Sequence, residues 1–237
     1  MKQNKSSFKW RHFEPLLILL CVRWYCRYQL SYRDVEEMMK ERGLEVDHTT
    51  VFRWVQRYAP EVNKRIRPYL KMSGTSYCVD ETYIKVGKTC KYLYRAVDKE
   101  GNTIEFRPSA KRDVCAAKCF FKKMMRAEHH RLPFSISVDK NAAYQEVFST
   151  SQAEQVVPQD CQLRRVKYLN NVIEQDHRYV KKKVRASQCF KSFHTAERTL
   201  EGIEAVNMMR KGQVKRLAGS DAQGLAKFVE TLFGIAA

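Results

Sequence analysis

The chain has no long hydrophobic run. Its apolar stretch Pro15-Leu16-Leu17-Ile18-Leu19-Leu20-Cys21-Val22 stops at Arg23, far short of the roughly 20 residues a membrane span takes. Lys2, Lys5, Lys9 and Arg11 precede it, but no small-residue cleavage site follows, so a signal peptide is not indicated. A core helix starting near Phe13, with Pro15 in its first turn, accounts for the stretch, and a soluble, cytoplasmic protein is expected. Cysteine pairs of the C-x-x-C type are also missing among the eight cysteines. Cys115 and Cys119 stand four apart with His129-His130 nearby, a spacing that fits no zinc template; free thiols in a reducing compartment are expected. There is no internal repeat and no low-complexity stretch. Acidic charge is in deficit, with 26 Asp+Glu against 44 Lys+Arg and a net +18 over 237 residues. Such a field attracts polyanions and gains from counterion release on nucleic acid. The apolar fraction of 44% excludes a disordered basic tail, and the length allows one catalytic domain with a small accessory domain.

Residues 1–72 read as a helical DNA-binding domain with a linker, holding 15 Lys+Arg against 8 Asp+Glu, a net +7. After a Phe13–Tyr28 helix, Ser31-Tyr32-Arg33-Asp34 is an N-cap signature with its acid three residues on. The helix it opens carries Val35, Met38 and Met39 and stops near Gly43. Asp47-His48-Thr49-Thr50 starts another, which is expected to end at Pro60. Val51, Trp54 and Val55 have the spacing of an inward face. His48, Thr49, Arg53, Gln56 and Arg57 are then left outside, as a recognition helix of a helix-turn-helix requires; a plain helical bundle has the same pattern, and the positive charge favours the DNA-binding reading.

Residues 73–192 change period. Cys78-Val79-Asp80 and Phe134-Ser135-Ile136-Ser137-Val138-Asp139 read as buried strands that end on carboxylates. Lys91–Asp98 and Thr103–Arg107 flank a hairpin signal at Glu100-Gly101-Asn102. A helix over about 113–128, a short one around Ala142 to Phe148, a strand near Gln155-Val156-Val157 and a long helix carrying Glu174 complete the set. Three antiparallel strands, helix, strand, helix, strand, helix is the order of an α/β (α+β) ribonuclease H-like catalytic domain beside an all-α N-terminal domain. Residues 193–237 form a C-terminal helical segment, with Glu201, Glu204, Arg210 and Lys211 on the outer side of its first helix.

An aspartate at a strand end is more often a turn former than a ligand, but Asp80, Asp139 and Glu174 together can converge on two divalent cations. Mg²⁺, with Mn²⁺ as substitute, suits such oxygen ligands, and a metal pair supports in-line attack on a phosphodiester. Glu81 is expected on the opposite face of its strand from Asp80, and Asp176 on the far side of the helix from Glu174. His177 is expected to share the face of Glu174. Residues 164–185 hold eight Lys/Arg against Glu174 and Asp176, which makes Arg178, Lys181 and Lys182, with His177, candidate DNA contacts.

The motifs Arg23-Trp24-Tyr25-Cys26, Asp47–Val51, Arg53–Pro60, Asp80-Glu81-Thr82-Tyr83, Tyr92–Asp98 and Tyr168–His177 occur in one order, with 34 residues between Asp139 and Glu174. From about Phe8 to Gly212 the chain resembles the DDE transposases of bacterial insertion sequences, in the family of small single-protein enzymes numbered six. It departs in having Lys140-Asn141-Ala142 where that family has a proline. The resemblance implies recognition of terminal inverted repeats, 3′-end cutting and joining to target DNA, with a replicative outcome. It also implies Asp80 bridging both metals, Asp139 and Glu174 each completing one, and Lys181 on DNA. Double-stranded DNA, a homodimer or higher oligomer on it, and a nucleoid location follow. A non-catalytic DNA-binding derivative or repressor, and a nuclease on the same fold, are the alternatives.

Overall fold

The computed structural model describes residues 8, 12–127, 129–139, 142–165, 171–186 and 190–235. Trp10, the Lys140-Asn141 turn, Cys189 and the start of the last motif, Tyr168 to Asn170, lie outside these. In chain order the elements are α1 (Pro15–Arg27), α2 (Tyr32–Lys40), α3 (His48–Ile66), β1 (Ser76–Val86), β2 (Thr89–Asp98) and β3 (Thr103–Ser109). They continue with α4 (Val114–Met125), β4 (Ser135–Val138), α5 (Ala142–Ala153), β5 (Gln162–Arg165), α6 (Asn171–Ala186), α7 (Phe193–Arg210) and α8 (Ala222–Leu232). Two compact units result: one gathers the chain up to Tyr69 with His194 onward, the other takes Leu70–Arg185 and Cys189–Phe193. None of the described helices is long and apolar enough to cross a membrane.

In the first unit local chemistry sets the helix starts. Ser31 accepts from the Asp34 amide while Asp34 accepts from the Ser31 amide, a reciprocal capping box for α2. Asp47 accepts from the amides of Thr49 and Thr50 and so caps α3. Between them Gly43, at φ 71°, turns the chain through the left-handed region. Val35 and Met39, Val51, Trp54 and Val55, and Ile18 and Val22 of α1 are buried, and Tyr25 stacks on Tyr32 at 4.0 Å.

Helix α3 runs through Pro60 to Ile66 instead of ending there. Proline has no amide to give the carbonyl four residues back, and that carbonyl, Gln56 O, accepts instead from Arg198 Nε of α7 at 2.6 Å. The helix continues because a side chain from a remote segment supplies the lost donor. Alongside, Gly202 of α7 packs so closely on α3 and α1 that a Cβ there would stand 2.5 Å from Ala59 Cβ and 2.8 Å from Cys26 Sγ. Helix α7 is buried on nearly every side from Gly202 to Met209; of the charges expected on its outer side Glu204 is buried, Glu201 and Lys211 are half-buried and Arg210 is exposed.

The second unit holds a five-stranded sheet in the order β3-β2-β1-β4-β5. Strands β1, β2 and β3 are antiparallel neighbours, while β4 runs parallel to β1 and β5 parallel to β4. This order and sense make the sheet ribonuclease H-like. The β2–β3 turn is fixed by Asp98, whose carboxylate accepts from the amides of Glu100 and Asn102, with Gly101 at φ 84°. On one face Tyr77, Val79, Tyr94 and Ala96 pack with Phe120, Phe121 and Met124 of α4 and Tyr144, Val147 and Phe148 of α5. Helix α4 starts on Asp113, which accepts from the Ala116 amide. The last strand, β5, lies at Gln162–Arg165 and not near Gln155-Val156-Val157. There the amides of Val156 and Val157 both bond Ser151 O and Gln155 takes φ 56°, so the segment closes α5 as a turn.

Candidate active site

The parallel pairing of β1 with β4 aligns Cys78 with Ser137. Two residues further along stand Asp139, just past the end of β4, and Asp80, which lies within β1: that strand does not end on its aspartate as expected but runs on to Val86, paired with β2. Alternation along β1 sends Tyr77, Val79 and Glu81 to the α4–α5 face and Asp80 to the other. Glu81 is taken up there: Arg112 pairs with one carboxylate oxygen and the Tyr144 hydroxyl donates to the other. Burial and the neighbouring Glu81 charge push the Tyr144 hydroxyl well above its ordinary range.

Asp80 is 20% exposed and has His177 Nδ1 of α6 at 3.7 Å from its Oδ2. Its carboxyl is pushed up to about 7, first by burial, next by repulsion from Glu81, and then by Asp139 and Glu174. Asp139 and Glu174 thus lie near enough to Asp80 to disfavour its charged form. Among the described residues, however, no three His, Cys, Asp or Glu side chains stand close enough to hold one ion together. The donors fit a hard divalent cation in chemistry: three carboxylates, no sulfur, and mutual repulsion that a cation would offset.

Helix α6 presents Ile173, His177, Val180, Lys183 and Val184 inward. Glu174 is exposed at the flank of this buried stripe, so it does not share the inward orientation of His177. Arg178, Lys181, Lys182 and Arg185 are exposed as well, and Glu174, Arg178, Lys181 and Arg185 recur at helical spacing along one side. His177 is buried against Asp80, which removes it from the expected surface contacts. Asp176 lies on the other side of the helix from the exposed Glu174, as expected, and is turned inward: its Oδ2 accepts from Arg95 Nη2 at 2.5 Å. Sequence reasoning missed Arg95, a charged residue in the strand segment Leu93–Asp98 that is buried on both faces; such an arginine demands a buried partner.

In the first unit Thr49, Arg53 and Arg57 are exposed at four-residue intervals along α3. Thr49 turns its hydroxyl onto Asp47, and His48 Nδ1 lies 2.8 Å from Glu36 Oε2 of α2. Gln56 is not on the outer face. Its Nε2 donates to Thr199 Oγ1 at 2.8 Å and to Thr195 O, which ties α3 to α7.

Residues 74–213 match the family model DDE_Tnp_IS240, a DDE domain. The transposase for insertion sequence-like element IS431mec of Staphylococcus aureus is 37% identical over 206 residues, which are 87% of this chain and 89% of that protein. The transposase for insertion sequence element IS257 in transposon Tn4003, also from Staphylococcus aureus, is 36% identical over the same shares. Among solved structures, the HTLV-2 integrase catalytic core in complex with magnesium (dimeric form) is 14% identical with a TM-score of 0.45, covering 61% of this chain and 97% of that one. The BIV integrase catalytic core is 12% identical with a TM-score of 0.44, covering 66% and 98%. A ribonuclease H-like sheet carrying Asp80 within β1 and Asp139 just past β4, in a chain that matches a DDE domain and insertion-sequence transposases, defines a metal-dependent polynucleotidyl transferase. Within that class the chain belongs to the DDE transposases of bacterial insertion sequences.

Proposed function

We propose that this transposase binds the terminal inverted repeats of its own element, cuts at their 3′ ends and joins the freed 3′-hydroxyls to target DNA by a replicative route. The observation that supports the reading is the placing of Asp80 and Asp139 on the adjacent parallel strands β1 and β4, with Glu174 on α6, whose His177 reaches Asp80, beside an exposed basic side of α6. Asp80, Asp139 and Glu174 would hold two Mg²⁺ ions, or Mn²⁺ in their place. Ions so held would supply activation of the attacking hydroxyl and stabilisation of the leaving oxygen. His177 steadies Asp80 from the helix side, and Arg112 with Tyr144 keeps the Glu81 charge turned from the site. Arg178, Lys181 and Lys182 bind phosphates next to the cut. Arg53 and Arg57, with Thr49, present α3 to the major groove, where arginine reads guanine edges. Two ends must be brought together for joining, so at least a homodimer assembles on the DNA.

Asp139→Asn tests the assignment. The variant is expected to bind a terminal-repeat duplex as the parent does in a gel-shift titration, and to lose 3′-end cutting by on the order of a thousandfold or more, the several kcal/mol that a metal site supplies. Equal loss of binding and cutting would contradict the role given to Asp139.

A further inference from the structure

Arg95 is fully buried on β2, in register with Asp80 of β1. Its partner Asp176 is 8% exposed and lies on α6 next to His177 and two residues from Glu174. The strand row that carries Asp80 therefore also carries the cation that grips the helix of Glu174. A buried ion pair is a poor device for stability alone, since apolar residues of similar volume often serve as well or better. It has direction, however. A guanidinium offers its donors in a rigid planar fork, whereas the buried apolar residues of α6, Ile173, Val180 and Val184, attract without a preferred orientation; His177 and Lys183 are buried on the same helix.

Resting on the transposase reading above, we propose that Arg95 and Asp176 are positioning residues: the pair fixes the rotation and depth of α6 over β1 and β2, and so sets where Glu174 stands relative to Asp80 and Asp139. Neither residue touches an ion or DNA; both act through Glu174 and through His177. The pair also explains why Glu174 can sit exposed on the flank of α6 and still be held to one place. The residue that locates it is on the buried side of the same helical turn.

Two variants keep the buried charges and alter the geometry. Asp176→Glu lengthens one arm by a methylene, and Arg95→Lys replaces the fork with a point charge. Each is compared with the parent for thermal melting, binding of a terminal-repeat duplex, and binding of Mn²⁺ alone, followed by titration calorimetry in the absence of DNA. Strand transfer across a Mg²⁺ series completes the set. Melting and duplex binding are expected to stay near the parent values, while Mn²⁺ affinity falls about tenfold, the loss typical when a group that orients a metal ligand is changed. The Mg²⁺ concentration for half-maximal strand transfer should rise by a similar factor. Folded variants that bind Mn²⁺ as the parent does, with the same Mg²⁺ dependence, would overturn the proposal and leave the pair a purely structural role. If a single variant fails to fold, Arg95→Met/Asp176→Leu removes both charges together and is expected to show the same loss of Mn²⁺ affinity. A parent protein without strand-transfer products would sink the transposase reading, while the Mn²⁺ titration still decides the positioning role.

Discussion

Along α3 the exposed side chains proposed to meet DNA and those that hold the fold alternate within one turn. Arg53 is exposed, while Gln56, three residues on, donates to Thr199 and Thr195 of α7. Their substitutions should therefore separate. Arg53→Ala is expected to cost about 1–3 kcal/mol in binding the terminal repeat, with less loss on a scrambled duplex, in a competition titration. Unaltered selectivity would remove Arg53 from the readout. Gln56→Ala, in contrast, should lower the melting temperature and leave selectivity unchanged. Removing hydrogen bonds of a half-buried amide costs about 1 kcal/mol or more. The inward turn of Gln56 was not legible in the sequence, because its partners lie far along the chain. The inward turn of Asp176 was: it stands three residues after Ile173 and four before Val180, both buried, which marks it as part of the buried stripe.

At the scale of elements, helix starts were written locally. Ser31, Asp47 and Asp113 each cap the helix that follows, and the β2–β3 turn falls at Gly101 as its neighbours Glu100 and Asn102 suggested. Ends written non-locally were missed. Pro60 looks like a stop, and α3 passes it because Arg198, 142 residues from Gln56, donates to the carbonyl that proline leaves without its helical partner. Arg198→Met is thus expected to destabilise the protein by about 1–3 kcal/mol, the cost of an unsatisfied buried acceptor, read as a lower denaturation midpoint. Adding Pro60→Ala restores an amide at that position and should recover much of the loss. A double variant no more stable than Arg198→Met would show that the Arg198 contact does something other than replace the missing donor. The same limit applies to the strand expected at residues 155–157: Val156 and Val157 have strand-like side chains, but the Ser151 carbonyl captures both amides first.

For the molecule as a whole, the net charge of +18 makes DNA affinity steeply dependent on salt. Lys181→Ala, on the exposed side of α6, should weaken binding to all duplexes alike and reduce the slope of log affinity against log salt by about one. A change confined to the terminal repeat would instead assign Lys181 to sequence readout. The strand expected to end on Asp80 runs on to Val86, but the sheet order, the neighbouring strands that carry Asp80 and Asp139 and the basic helix were legible because each depends on residues close in the chain. The way α6 is held was not, because it rests on one pair, Arg95 with Asp176, joined across 81 residues. The most direct test of the account is strand transfer in Mg²⁺ between a labelled duplex carrying the element's terminal repeat and a supercoiled target plasmid. The account predicts covalent joining of the labelled 3′ end to the plasmid by the parent protein and none by Asp139→Asn. Cutting without joining would contradict it in favour of a nuclease, and end binding with neither product in Mg²⁺ or Mn²⁺ would leave only a DNA-binding protein.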